Sequence, residues 1–337
     1  MAITAKELAK ELGVSPAAVS IALNGRTGIS EKKRQIILEA AESAGLRRDS
    51  RKTPVSPVIH LVIFKKHGMV YGDTPFFSAL LEGVSAQVSE SGCRLQVSYF
   101  YAAQDDKEQL QGIASSDCAG ILLLATEMEY EDLCCFMALK LPVVILDSFF
   151  ENAPFDSVVI NNVQGAVQAV EYLLACGHRH LGHIRSSVEI SNFYERHIGC
   201  LKGVKDCVEG GRCTLDTIFT GSTHETAYRD MNRYLEENPV LPTAFFADND
   251  IIAGGCMRAL REHGYNIPED VSIVGFDDVP TANVGFPGLT TVNVPKEYLG
   301  KFAVQKLLER IRSKEPTPTT KTCVNTALVI RDTVKRL

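Results

Sequence analysis

Residues 4–45 read TAKELAKELGVSPAAVSIALNGRTGISEKKRQIILEAAESAG and spell out three short helices together with their caps. Thr4-Ala5-Lys6-Glu7 is a capping box, in which the Thr4 hydroxyl accepts from the amide three residues on while Glu7 reaches back. Leu8 and Leu12 share one helix face, and Gly13 supplies the left-handed residue that ends the helix. Ser15 is a second N-cap, with Pro16 at the first helical position, where a missing N–H costs nothing. Ala18, Val19, Ala22 and Leu23 form that helix's apolar side, and Asn24-Gly25 stops it. Ser30 caps a third helix carrying Ile36, Ile37, Ala40, Ala41 and Ala44, closed by Gly45. Two such helices joined by a tight Gly turn and packed on a third predict a helix-turn-helix, a module that binds DNA.

Charge follows the same division. Residues 1–53 hold ten Lys and Arg against six Asp and Glu, whereas the whole 337-residue chain carries −6. A basic head on an acidic body suits a module that neutralises phosphates and a body that avoids them. At 45% hydrophobic, the chain has room for two or three domains with real cores. No signal peptide precedes Thr4 and no apolar run is long enough to span a bilayer, so a soluble, cytoplasmic protein is expected, with no membrane partner. The ten cysteines form no C-x-x-C pair and sit mostly in apolar segments, which predicts packed, reduced thiols.

Past residue 57 the pattern alternates. Val58–Phe64 reads as a buried strand, followed by a helix over 76–91, a strand over 94–100, a helix over 107–115 and the strand Gly120–Leu124. A helix near 131–139 and the strand Val143–Leu146 complete a first set. A second set has helices over 165–176, 195–208, 223–237 and 251–263, interleaved with strands at 181–184, 217–219, 244–247 and 271–276. Continuous β-branched runs flanked by helices predict parallel strands buried on both faces, hence two doubly wound α/β lobes in tandem.

Ligands of open parallel sheets bind beyond the carboxyl ends of the strands. Asp147 directly follows Val143–Leu146, Asp248-Asn249-Asp250 follow Ala244–Ala247, and Asp277-Asp278 follow the strand ending at Phe276. A polar residue after a strand also commonly caps the next helix, so each position alone is ambiguous. Three such strand ends in facing lobes point to groups that accept from hydroxyls.

These residues carry a family resemblance over essentially the whole chain. It rests on Ile3-Thr4, Leu8-Ala9, Gly13-Val14-Ser15, Val19-Ser20 and Leu23-Asn24-Gly25 in the head, and on Pro75-Phe76-Phe77, Leu81 and Gly83 beyond it. It continues through Pro142-Val143-Val144, Asp147, Gly177-His178-Arg179, Glu195-Arg196, Gly199, Pro242-Thr243-Ala244, Asn249-Asp250, Ile267–Asp278 and Leu289-Thr290-Thr291-Val292. In this order and spacing the sequence resembles the LacI/GalR family (lactose-repressor type) of transcriptional regulators. The resemblance implies a homodimer on a palindromic double-stranded DNA operator, and a periplasmic-binding-protein-like core that closes on a small effector, a sugar by preference. It implies a head over 1–46, a linker over 47–57 and a core over 58–337. The core's lobes are interleaved: one spans about 58–157 and 290–321, the other about 158–289 and 322–337.

By resemblance, Thr4, Ser15, Ser20, Asn24 and Ser30 face phosphates, while Pro16, Ala17 and Ile21 face bases. Ser15 and Ser30, at helix N-termini, aim amides and hydroxyls at an anion. Pro16, Ala17 and Ile21 supply no bidentate donor or acceptor, so base reading must lean on apolar contact and DNA shape. The linker Leu46-Arg47-Arg48-Asp49-Ser50-Arg51-Lys52-Thr53-Pro54-Val55-Ser56-Pro57 departs from the family, whose members place a hinge helix with a minor-groove leucine here. It is shorter, has no leucine after Leu46, and carries two helix-blocking prolines. An extended basic arm is expected instead, with Arg47, Arg48 and Arg51 available to phosphates.

For the effector, the resemblance selects Phe76 and Phe77 as an aromatic wall and Asp147, Arg196, Asn249 and Asp277 as polar contacts. An arginine with two carboxylates and an amide suits vicinal hydroxyls. The chain has no Trp, and Ser222 falls where some relatives place a stacking one. The cluster His178, Arg179, His180 and His183 lacks a carboxylate at ligand spacing and reads as a structural turn rather than a metal site. No dinucleotide fingerprint, P-loop or nucleophile-plus-base pair stands out, so neither cofactor nor catalytic residues are expected.

Overall fold

In the computed structural model the described residues are 4–23, 28–44, 56–71, 75–113, 118–313, 315 and 317–337. The chain divides into two compact units, Met1–Ser56 and Pro57–Leu337. The first holds helices α1 (Ala5–Glu11), α2 (Pro16–Leu23) and α3 (Glu31–Ser43). The Thr4–Glu7 box forms as read, with Thr4 Oγ1 accepting from the Glu7 amide and a Glu7 carboxylate oxygen taking the Thr4 N–H at 2.7 Å. Gly13 takes the left-handed conformation (φ 62°). Leu8, Ala9, Ala18, Val19, Ala22, Ile37 and Ala41 make a closed core, with Val19, Ile37 and Ala41 wholly buried. Burying the Leu8, Val19 and Ile37 side chains is worth about 1.5–3 kcal/mol each. Asn24, Arg47, Arg48 and Arg51, and with them nearly all of the linker, lie outside the described residues.

The second unit follows the expected alternation. Its first part comprises β1 (Val58–Lys65), α4 (Pro75–Glu90), β2 (Arg94–Tyr101), α5 (Asp106–Ile113), β3 (Cys118–Leu124), α6 (Tyr130–Leu133), β4 (Val143–Leu146) and β5 (Asp156–Ile160). The segment read as one helix near 131–139 is two short turns, α6 and a 3-10 turn at Phe136–Ala138. Next come α7 (Asn162–Ala175), β6 (His180–Ser186), α8 (Ser191–Glu209), β7 (Thr214–Thr220), α9 (His224–Glu236), β8 (Ala244–Ala247), α10 (Asp250–Glu262) and β9 (Ser272–Val274). The chain ends with α11 (Pro280–Val284), β10 (Thr291–Asn293), α12 (Lys296–Arg312), β11 (Lys321–Val324) and β12 (Ala327–Val329).

Two parallel sheets result, ordered β2-β1-β3-β4-β5-β11 and β7-β6-β8-β9, with a small antiparallel pair β10-β12. Both sheets reverse strand order beside their first strand, which opens a crevice at the strands' carboxyl ends. Strand β5 escaped the sequence reading because its head is polar: Asp156 is buried and bound by Arg310 Nε at 2.5 Å and by the Thr320 amide at 2.8 Å. Residues 158–160 and 322–324 belong to the larger sheet, so those two crossings between lobes lie a few residues later than expected. Asn161 and Asn325, at these crossings, are joined at 2.9 Å. Residues 323–329 are divided between β11 and β12, in different sheets.

Helices α4 and α12 pack backbone to backbone. A methyl group at Gly83 would collide with the Glu297 carbonyl, and one at Gly300 with the Leu80 carbonyl. Because the obstacles are main chain, the helices must separate to make room. Gly83→Ala and Gly300→Ala are each expected to lower stability by about 1–3 kcal/mol, read as a shifted urea midpoint. An unchanged midpoint would mean that this helix contact is not close.

Candidate functional site

A cleft opens between the two sheets' carboxyl ends. Phe76, Phe77, Asp147, Arg196, Asn249 and Asp277, the six residues selected from the sequence, all line it. Val70, Thr126, Ile190, Asn192, Phe193, Ile251 and Val279 complete the wall. The mixture of an apolar wall with a few polar groups fits a small-molecule site.

Each polar group is fixed by the element that carries it. Asp147 leaves β4 in a left-handed conformation (φ 64°), which turns its carboxyl into the cleft. One oxygen accepts from Thr126 Oγ1 at 2.6 Å; the other, Oδ1, is buried without a partner. Burial raises this carboxyl to about 6, against the lowering pull of Thr126, Asn192 and the nearby Arg196 charge. An unpartnered buried acceptor is costly, so an outside donor reaching it is favoured.

Arg196, from α8, is almost wholly buried. Its Nε donates to Asn162 Oδ1 at 3.0 Å, NH1 to the Asp248 carbonyl at 2.5 Å and NH2 to Asp277 Oδ1 at 3.0 Å. Its guanidinium lies 3.9 Å from the Phe276 ring centroid. Asp277 is itself left-handed (φ 101°), and burial raises its carboxyl despite Arg196 and Lys296. Asn249 caps α10 through Oδ1, 2.9 Å from the Ile252 amide, and so fills the capping role as well as lining the cleft.

Neighbouring groups from the same strand ends are structural. Asp248 turns away from the cleft, taking His183 Nε2 at 2.8 Å and the Ser186 amide at 2.8 Å. Asp250 accepts from Thr291 Oγ1 and from the Val279 amide at 2.9 Å. His178 is a turn residue, as read: its ring nitrogens meet Thr243 Oγ1 and the Lys335 carbonyl.

In the helical unit, Thr4, Ser15, Pro16, Ala17, Ser20 and Ser30 are exposed and Ile21 is half-buried. Ser15 Oγ accepts from the Ala18 amide at 3.1 Å and Ser30 Oγ from the Lys33 amide at 3.4 Å, so both serine caps form.

Residues 170–334 match a periplasmic binding protein-like domain. The chain is 29% identical to the HTH-type transcriptional repressor PurR of Mannheimia succiniciproducens, over 99% of both chains. It is 28% identical to the ribose operon repressor of Halalkalibacterium halodurans, over 98% of this chain and 97% of that one. Among solved structures, the transcriptional regulator CelR in its cellobiose complex superposes with TM-score 0.72 at 25% identity, covering 98% and 99% of the two chains. The lac repressor dimer bound to operator superposes with the same score at 20% identity, a likeness of fold. These likenesses, to PurR and a ribose operon repressor over the whole chain and to CelR in fold, support a LacI-family transcriptional regulator.

Two polar residues that line the cleft, Thr126 and Asn192, and one that binds the Asp277 backbone, Lys296, escaped the sequence reading. Thr126 stands two residues past β3, and the strand-end rule that found Asp147 would have found it too. Asn192 begins α8, where only its donation to the Asp147 carbonyl at 3.3 Å reveals its place. Lys296 is buried, with Nζ donating to the carbonyls of Asp277, Asp278 and Val294. Burial lowers its affinity for a proton, against the pull of Asp277, Asp278 and Asp250.

Burial also raises Asp250 to about 8, reinforced by Asp277. The fold therefore favours protonated Asp250. Its contribution to stability is complete below the ordinary value of 3.8 and is lost as pH rises through about 8. Asp250→Asn keeps a carbonyl for the Val279 amide and has no charge to gain. It is expected to flatten the decline in stability between about pH 4 and pH 8, measured by urea unfolding across that range. Parallel pH profiles for variant and wild type would refute the assignment.

Proposed function

We propose that this LacI-family regulator is a cytoplasmic, homodimeric repressor of a carbohydrate-utilisation operon, and that a small sugar in the cleft sets its operator affinity. The observation that carries the effector class is the buried, unpartnered Oδ1 of Asp147 facing a cleft that also holds Arg196, Asn249 and Asp277. A sugar hydroxyl would donate to Asp147, and the forked donors of Arg196 and the amide of Asn249 would meet ring or hydroxyl oxygens. Phe76, Phe77 and Phe193 offer apolar faces to the C–H side of a pyranose or furanose. Support comes also from relatives: a ribose operon repressor, a regulator solved with cellobiose, and a LacI-family core solved with ribose. The role is binding rather than catalysis, and the curated relatives named above are repressors.

The same apolar faces would accept a planar heterocyclic base, so the test must separate the two. Calorimetry with pentoses, hexoses, cellobiose and purine bases should find a sugar that binds the wild type. Asp147→Asn should weaken that sugar by about 10- to 100-fold, the worth of a hydrogen bond to a charged acceptor. Wild-type affinity should also fall as pH drops through about 6, where Asp147 takes up a proton and loses its accepting charge. Binding of a base alone, insensitive to Asp147→Asn, would overturn the sugar reading.

On the DNA side, Thr4, Ser15, Ser20 and Ser30 are assigned to phosphates and Pro16, Ala17 and Ile21 to bases; Asn24, Arg47, Arg48 and Arg51 complete the assignment from sequence. An apolar reading surface predicts modest discrimination per base and strong dependence on half-site spacing. Selection of random duplex DNA by the full-length protein at near-physiological salt should recover a palindrome with soft positions opposite α2. Sharp guanine preferences there would contradict the apolar reading. No enriched motif with or without the sugar would favour a sensor that does not read a specific operator.

A further inference from the structure

A single carboxylate organises the loop that follows β1. Glu127 Oε2 accepts from the amides of Lys66 (3.1 Å), His67 (3.2 Å) and Gly68 (2.8 Å), and Oε1 from those of Val70 (2.9 Å) and Tyr71 (3.2 Å). The intervening Met69 amide donates to His67 Nδ1 at 3.1 Å. All six consecutive N–H groups are thus spent around one buried side chain, the geometry of an anion nest with the anion built in. Burial alone would raise this carboxyl, but the amides of Val70, Gly68 and Tyr71 outweigh it and hold it below the ordinary range.

The loop so held separates two cavities. On its inner side Val70 lines the effector cleft. On its outer side Lys66, His67 and Met69 line a wider hollow of about 1250 Å³, walled opposite by Val188, Ser222 and Thr223. Between the two, Val70 packs against Val188, Ile190 and Phe193 of the other lobe. At the outer lip, Ser222 Oγ donates to the Met69 carbonyl at 3.1 Å.

We infer that residues 66–71 are a gate between an outer vestibule and the effector pocket, anchored on their own lobe by Glu127 and latched to the opposite lobe by Ser222. This rests on the effector reading of the cleft. Glu127 is a positioning residue: the hydrogen bonds of its carboxylate go to the gate's amides, and it lines the outer hollow rather than the effector cleft. A glutamine cannot replace it, because its NH₂ end would face N–H donors where a second acceptor is required.

The test needs no effector, so it stands apart from the identity of the ligand. Full-length wild type, Glu127→Gln, Glu127→Ala and Ser222→Ala are compared by amide hydrogen exchange and by hydroxyl-radical labelling, both read by mass spectrometry. The two Glu127 variants should exchange the 66–71 amides about tenfold faster or more, with β1 and β3 keeping their protection. Labelling of Phe76, Phe77 and Phe193 should rise several-fold, roughly tracking that freed loop. Ser222→Ala should leave exchange at 66–68 unchanged and raise labelling of the same phenylalanines by about twofold, as expected for one surface hydrogen bond. Unchanged exchange in the Glu127 variants would remove the anchor, and loss of β1 and β3 protection would make Glu127 a determinant of the sheet instead. Faster exchange without new labelling would mean that the loop is no gate; unchanged labelling in Ser222→Ala would remove the latch. Failure of the effector reading would show itself separately, as wild type that binds neither sugar nor base.

Discussion

The cleft depends on one buried cation. Taking the Arg196 guanidinium out of water is costly, and it is tolerated because Asn162, the Asp248 carbonyl, Asp277 and the Phe276 ring each take one of its faces or edges. Those partners come from the start of α7, the end of β8 and the end of β9, so one side chain fixes the positions of three chain segments at once. Removing it would leave Asp277 buried beside fewer positive charges, a loss of about 3–5 kcal/mol for a broken buried pair. A residue that lines the cleft is therefore also the residue that holds its floor together.

Around Arg196 the charges do not balance. Asp147, Asp250 and Asp277 are all buried; Arg196 pulls Asp147 down, Arg196 and Lys296 pull Asp277 down, and Asp250 feels the Asp277 and Asp278 charges instead. With more acid than base, part of the cluster keeps its protons. Burial is the first reason that Asp147 and Asp250 stand at about 6 and about 8 rather than in the ordinary carboxylate range, and the Asp277 charge adds to both. Asp250 is closed off by Thr291 and Val279, whereas Asp147 has one oxygen free in the cleft. A ligand hydroxyl can relieve only the second. The division of labour between two chemically identical side chains is set by which strand end each occupies and whether its backbone turns left-handed.

Legibility from sequence followed the same physics. The helix caps and the strands of unbroken apolar residues were readable because each is a local signal, carried by a few adjacent residues. Asp147, Asn249 and Asp277 were readable because strand ends and the family resemblance converge on them, whereas Phe76, Phe77 and Arg196, which lie in helices, came from the resemblance alone. Strand β5 was not, since Asp156 and Ser157 look solvated until Arg310 and Thr320, far along the chain, arrive to bind Asp156. Glu127 and Lys296 were missed for a related reason. A glutamate after a strand and a lysine opening a helix read as surface residues, and only the fold brings main-chain amides or carbonyls to them. Charge buried against backbone leaves no pattern in one dimension.

The two-lobed construction of the cleft also sets what a ligand can do. Phe76, Phe77, Thr126 and Asp147 stand on one lobe, while Asn192, Arg196, Asn249 and Asp277 stand on the other. A ligand that touches both sets gains its full contacts only when the lobes are together, so its affinity differs between arrangements of the core. That difference is the whole of what it can contribute to a conformational equilibrium; a ligand satisfied by one lobe alone would bind without shifting anything. Moving such an equilibrium from one extreme to the other takes about 5.5 kcal/mol of differential binding. A few hydrogen bonds to Asp147 from one side and to Arg196 and Asn249 from the other are of that order when made in a closed, largely apolar cleft. On the proposed reading the effector's hydroxyls have to be met from both lobes at once, and the arrangement of strand-end groups on facing sheets is what makes that possible.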